Sequence, residues 1–533
     1  MRRITVITLT AGAAFGLGWA MSWAVAPMLS SMRGTGEDVP VGYLFFTSAV
    51  ALSSVVVVGL AFGGKWVKFL IPVGGAFLLG GGMGPFRSVA QKMGTAMIVL
   101  PVGDAFGQIL LRLADQWPLK LAFACGAAAL CATYLLMRRP LENNYSLAKA
   151  ALFLCIVVAT GAGIFFARDS IGSEAFKHGK EVGASEGYLS VAKIMPDARA
   201  FLQVYVHNRE RLHAWDTIHI WANMPGKTLL YYGFLKIGLE EGGINAANII
   251  LCALTAVPLF FVARRLLGAR VAGGAAILFF IFPGLPSAFP SFNAMTAFFA
   301  MTGVWLALIC LGKRDPLIGG ATGCYLALLF FYEPLPFVLA VFLVPYIWRA
   351  LRADAAAAIG TLAGVALGVA AVFGAVYLWS GASIFKMTLD TIDCAARFNL
   401  SWKRDYWAHL LVNVVELGGA VGWITLVLWA FGFVRGAKEI FTRGGSFAGR
   451  LFVETPAAAV CVFALFIMML ALDLSGVNRG ETGRLWIFLM PLTGASAVWG
   501  AEKLNLKFYM PFLCGFLWLE GILVHAKELA WPF

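Results

Sequence analysis

Charge is scarce in this sequence. Asp, Glu, Lys and Arg together make up 13% of its 533 residues, against about 25% in a soluble globular chain. Hydrophobic residues fill the space at 60%, which excludes an ordinary water-soluble domain. Paired cysteines are lacking too: there is no Cys-x-x-Cys and no disulfide framework. Eight cysteines (Cys125, Cys131, Cys155, Cys252, Cys310, Cys324, Cys461 and Cys514) lie within apolar runs, where Cys acts as a small hydrophobe. Cys394 stands alone in a polar stretch. Nor is there a phosphate-cradling Gly-x-x-x-x-Gly-Lys loop, a Gly-x-Ser-x-Gly elbow or a His-Glu-x-x-His pair. No Cys/His cluster has zinc spacing. These absences exclude the P-loop ATPases, the α/β hydrolases and the zinc peptidases. There is also no inverted repeat of the transporter kind.

What is present is a series of long apolar blocks. A helix needs roughly 20 apolar residues to cross a bilayer. Blocks of that kind fall near residues 4–26, 43–63, 66–84, 118–137 and 149–167. After a polar gap more follow near 245–263, 271–287, 290–311, 315–331, 334–350, 355–379, 409–432, 453–474, 485–502 and 507–525. The expectation is an all-α polytopic membrane protein of about fifteen transmembrane helices. Met1-Arg2-Arg3 and the run to Ala26 read as a retained first helix rather than a signal peptide, because Trp and Met stand where a cleavage site needs small residues. The net charge of +13 has a topological explanation, since Lys and Arg concentrate in short loops beside apolar spans, and nucleic acid is not an expected partner.

By the positive-inside rule the N-terminus is cytoplasmic. The inside loops then carry Lys65/Lys68, Arg138/Arg139, Arg264/Arg265/Arg270, Lys313/Arg314, Arg349/Arg352 and Lys503/Lys507. Residues 85–117, with Asp104, Arg112 and Pro101, read as an external re-entrant or interfacial segment. Three polar regions face outward: a long loop at 168–244, a second at 380–406 and a short link at 474–485. The chain divides into an accessory module (1–148), a core with the long first external loop (149–400) and C-terminal helices (401–533).

The long loop mixes carboxylates, histidines and aromatics. Leu189, Ile194, Ala198, Phe201, Leu202 and Tyr205 recur at helical spacing, which predicts a short amphipathic helix on the membrane interface, with Asp197 on or near it. Further on come His213, Asp216, His219 and Asn223-Met224-Pro225-Gly226-Lys227.

The series Tyr188-Leu189, Asp197, Phe201-Leu202, Tyr205, His219 and Pro225-Gly226, with the later Gly480-Glu481-Thr482-Gly483-Arg484-Leu485-Trp486, resembles the GT-C glycosyltransferases. These are polytopic enzymes that use sugars linked to a polyprenyl phosphate or pyrophosphate. The resemblance covers about residues 149–525 and rests on short motifs. The chain departs from it at Asn223 and Met224, where the family pattern has His and Pro. It implies a GT-C-like core, a polyprenyl-phosphate-linked sugar donor, a glycan, lipid or protein acceptor, membrane lipids as surroundings, and a site on the external face of a bacterial cytoplasmic membrane.

Such transfer needs a base for the acceptor hydroxyl and cations for the departing lipid phosphate. The base expected first is Asp197, then Asp169. Asp197 equally suits capping the next helix or pairing with Arg199. Arg479 and Arg484 suit the phosphate, since Arg recognises it bidentately, with Lys403, Arg404 and Lys227 in support. Glu481 pairing with either Arg is the structural alternative. Asp216 and His219 lie one helical turn apart and could pair, and with Glu333, Glu481 and Asn223 they are the acceptor-side or supporting candidates. A divalent cation (Mg or Mn) fits the loop carboxylates, but no spacing requires one. Two other readings compete: a lipid or solute transporter or flippase, and a non-catalytic scaffold with a GT-C-like fold. The first would need charges along a mid-membrane path, where this sequence has few.

Overall fold

The computed structural model describes residues 117–143, 146–171, 187–207, 220, 223–285, 293–401, 406–442, 456–477, 485–504, 510, 511, 513–515 and 517; for Arg168, Asp169 and some other helical positions it describes the backbone alone. The first three expected spans and segment 85–117 lie outside these residues, as does most of 507–525.

Every regular element among the described residues is helical. In chain order they are α1 (Trp117–Asn143), α2 (Leu147–Ile171), α3 (Tyr188–Ile194), α4 (Ala198–His207), α5 (Gly226–Lys236), α6 (Glu241–Leu254), α7 (Ala256–Leu267), α8 (Ala269–Phe279) and α9 (Asn293–Lys313). Then come α10 (Pro316–Tyr332), α11 (Leu339–Ala353, entered by a 3₁₀ turn), α12 (Ala355–Ser380), α13 (Ile384–Ser401), α14 (Tyr406–Val421), α15 (Trp423–Phe441), α16 (Ala457–Leu474) and α17 (Met490–Lys503).

Among the described residues six stretches are long and apolar enough to cross a membrane: Leu147–Ala167, Glu241–Leu267, Asn293–Lys313, Leu335–Ala353, Ala355–Ser380 and Ala457–Leu474. Helices α8 and α10 are apolar but shorter. The coarse expectation, an all-helical protein with several bilayer-length apolar helices, is met; the described residues give six such helices against the fifteen spans expected.

Some expected spans are interrupted. The block at 245–263 is one span, Glu241–Leu267, whose hydrogen-bond ladder is interrupted at Thr255 between α6 and α7 while the backbone stays helical there. Pro258 has no N–H to give the Leu254 carbonyl four residues earlier, which interrupts the ladder there. The block at 409–432 is two helices, α14 and α15. Gly422 separates them with φ +84°, a conformation that glycine adopts without strain.

The main core centres on α8 and α17. Residues 271–279 of α8 and 490–501 of α17 are all buried. Helix α12 is peripheral: 17% of its apolar window is buried, against 67% for α9. It is nevertheless tightly joined to α10, because glycines bring the two backbones together. A Cβ on Gly323 would stand 2.1 Å from the Val365 carbonyl oxygen, and one on Gly368 would stand 2.1 Å from that of Gly320. Small residues at helix crossings are how apolar helices gain dispersion contacts in lipid.

A second core covers one end of the bundle. Tyr188, Leu189, Phe201, Leu202 and Tyr205 pack with Met224, Tyr231, Phe331, Ile384 and Met387. The described part of the long loop is therefore a packed helical layer. The single amphipathic helix expected there is two. Pro196 pushes Met195 into extended backbone (ψ 134°), ending α3, and α4 starts afresh after Asp197. The polar stretch around Cys394 is also a helix, α13. Ile384, Met387, Thr391 and Cys394 face inward and are buried, so Cys394 is a core residue. Phe385, Leu389 and Ile392 form an exposed apolar stripe on its other side.

The opposite end of the bundle is held by charge. Arg270 at the start of α8 forms a two-pronged bond to Glu142 of α1, at 2.7 Å and 2.9 Å, and its Nε lies 3.5 Å from Glu502 of α17. Lys503 pairs with Glu439 of α15 at 3.2 Å. The Arg270 bond holds the Glu142 carboxyl below its ordinary range, and Glu142 in turn raises Arg270.

Candidate active site

Polar residues of the regions 168–244 and 380–406 meet on the second core. Tyr205 on α4 is buried. Its hydroxyl donates to the backbone carbonyl of Asn223 and lies 3.4 Å from the Thr391 hydroxyl of α13. Thr391 and Thr388 lie 3.8 Å and 3.9 Å from the Met224 sulfur. Met224 is buried at 1% exposure and fills its position by packing.

Below this contact lies a buried ion pair. Lys227 is 1% exposed. Its ammonium pairs with Glu333, donates to the Asn223 side chain at 3.1 Å and sits 5.9 Å from the centre of the Tyr332 ring. Gly226 makes this approach achievable: a Cβ there would stand 2.4 Å from the Phe331 carbonyl oxygen. Lys227 thus enters at the C-terminus of α10, where carbonyl dipoles favour a cation. The ion pair and the dipole account for Lys227 without a phosphate, and Glu333 has an interior partner. Asn223 supports the pair through its side chain. The Pro225-Gly226 half of the motif docks on α10, and the divergent Asn223-Met224 half meets Lys227, Tyr205 and the α13 threonines.

Asp197 is exposed and caps α4: its Oδ1 accepts the Ala200 amide at 2.7 Å. Asp and Asn are favoured at this position because the first amides of a helix have no partner within it. The motif residues around Asp197 (Tyr188, Leu189, Phe201, Leu202, Tyr205) are buried at 3% exposure or less. They build the scaffold from which Asp197 projects. Asp169 stands in the last turn of α2, and its side chain lies outside the described positions. Asp216, His219, Lys403, Arg404, Arg479, Glu481 and Arg484 also lie outside them.

One group went unnoticed in the sequence. Asp473, in the last turn of α16, is 5% exposed and accepts from the Asn413 amide of α14 at 2.8 Å. One turn before Asn413, His409 is also buried. The Tyr406 hydroxyl donates to the Leu474 carbonyl at 2.6 Å. These bonds tie the end of the region 380–406 to the root of the 474–485 link. The available signal was a lone carboxylate in an apolar run, which is uncommon inside membranes and usually has a role.

Among the described residues no three His, Cys, Asp or Glu side chains stand close enough to hold a metal ion. No protein-family model matches the chain, and no curated protein sequence matches it.

Proposed function

We propose that the protein is a GT-C-type glycosyltransferase of the bacterial cytoplasmic membrane, moving a sugar from a polyprenyl-phosphate carrier to a glycan, lipid or protein acceptor at its outer face. The observation that carries the reading is the joining of three polar segments at one end of the bundle. Tyr205 links α4 to Asn223 and α13. Tyr406 and Asn413 link α14 to the end of α16, from which the link bearing Arg479 and Arg484 departs. An exposed carboxylate, Asp197, stands on the rigid layer these contacts build.

In the proposed reaction the acceptor oxygen attacks the anomeric carbon, and the bond from that carbon to the phosphate oxygen breaks. The acceptor proton passes to a carboxylate, Asp197 or Asp169. The electron pair leaves with the lipid phosphate, whose charge Arg479 and Arg484 meet, with Lys403 and Arg404 beside them. A single displacement inverts the anomeric centre. Asp473 acts as a positioning residue, holding α14 against the base of the arginine link.

The test is transfer from a labelled polyprenyl-phosphate sugar in membranes containing the full chain. Asp197→Asn or Asp169→Asn should lower the rate by about 10²–10⁴-fold. Full activity in both variants overturns this mechanism. The scaffold reading draws support from the structural work that Asp197 and Lys227 already do; it predicts binding of the lipid-linked sugar with no turnover.

A further inference from the structure

Three arginines converge on one cavity at the end of the bundle away from Glu333. Arg265 comes from the last turn of α7, Arg314 from the turn between α9 and α10, and Arg349 from α11. Together they line a cavity of about 300 Å³. Its remaining walls include Leu308, Leu311 and Tyr346, and among the described residues no carboxylate lines it. Two acids next in the chain to these helices act as caps: Asp315 accepts the Leu317 and Ile318 amides at the start of α10, and Asp354 accepts the Ala357 amide at the start of α12.

The backbone is shaped to admit these cations. Arg265 lies against Gly312, where a Cβ would stand 2.2 Å from its Nη2. Arg314 has φ +54°, a left-handed conformation that is unfavourable for a residue with a side chain. Its Nε is buried with no hydrogen-bond partner among the described residues. The buried Nε of Arg314 is an unmet donor facing a cavity lined by two further guanidinium groups. An anion there would take that donor, and guanidinium groups match the paired oxygens of a phosphate.

We propose that this cavity binds the phosphate of an anionic bilayer lipid. Bilayer origin is favoured by α11, which carries Arg349. Val341, Val344 and Trp348 form an exposed apolar stripe at helical spacing on that helix, a track for an acyl chain leading away from the arginines. Helix α10 separates this end from Glu333 by 17 residues, about 25 Å of helix, so the site is independent of the transfer chemistry proposed above.

The test uses the purified full chain in nanodiscs of phosphatidylcholine with or without phosphatidylglycerol, read by native mass spectrometry and thermal unfolding. The wild type should retain phosphatidylglycerol and unfold at a higher temperature with it. Arg265→Gln and Arg349→Gln should each weaken retention at least tenfold. Arg397→Gln, which alters an exposed pair with Asp393 on α13, should leave retention unchanged. Equal retention by all variants, or none by the wild type, overturns the proposal. Inorganic phosphate giving the same stabilisation in pure phosphatidylcholine overturns the lipid assignment.

Discussion

Replacing Lys227 with Met leaves the Glu333 carboxylate facing α10 carbonyls and the Tyr332 ring with no cation. Breaking one side of a buried pair costs about 3–5 kcal/mol. Glu333 keeps 15% side-chain exposure, so Lys227→Met should fall near the lower end, read as a drop in unfolding temperature. Lys227→Met with Glu333→Gln should recover part of the loss, because the stranded charge goes with it. Asp197 invites a different experiment. Asn caps a helix about as well as Asp, whereas Ala costs about 1 kcal/mol. Asp197→Asn should therefore melt like the wild type, and Asp197→Ala should melt lower. Activity lost in the Asn variant then reports the charge rather than the fold.

At the scale of elements, the joint between α10 and α12 should be the least tolerant of added volume. Gly323→Ala drives a methyl into the Val365 carbonyl, and overpacking of this kind costs about 1–3 kcal/mol. Gly374, also on α12, has nothing within 4 Å of a built Cβ. Gly374→Ala should be neutral or stabilising, since Ala is the better helix former by about 1 kcal/mol. Comparing the two melting curves isolates packing from propensity. The apolar blocks were readable because lipid imposes length and composition on any spanning helix. The breaks were readable only in part. Pro196 and Pro258 mark two of them, but the spacing of the residues on either side misled: Ile194 and Phe201, seven residues apart, share a helical phase across the proline. At Gly422 the apolar run continues through the break, so hydropathy alone could not divide it. The site was legible as a list of polar residues. Their partners were not, because Lys227–Glu333 and Asn413–Asp473 join residues far apart in the chain.

For the whole molecule, stability against acid has a definite sign. Glu142 is held below its ordinary pKa by Arg270. Its contribution is complete above the unfolded carboxylate value, about 4.3, and is lost as pH falls through the lower folded value. The Arg270 side chain is 53% exposed, so the effect should stay under about 1 kcal/mol. Glu142→Gln should flatten the acid limb of a plot of unfolding temperature against pH below about pH 4, leaving the neutral region little changed. The two ends of the bundle differ in kind: exchangeable surface charge pairs at one, and a sealed layer with its own core at the other.

That sealed layer sets a timetable for biogenesis. Lys227 and Glu333 are 106 positions apart (333 − 227). A ribosome adding roughly 5–20 residues per second completes Lys227 some 5–20 seconds before its counterion. During that interval α5 can close over Tyr205 and α3, but not over a neutralised lysine. The nascent chain must keep that ammonium in water, or in the care of the insertion machinery, until α10 delivers the acid that lets the end of the bundle shut.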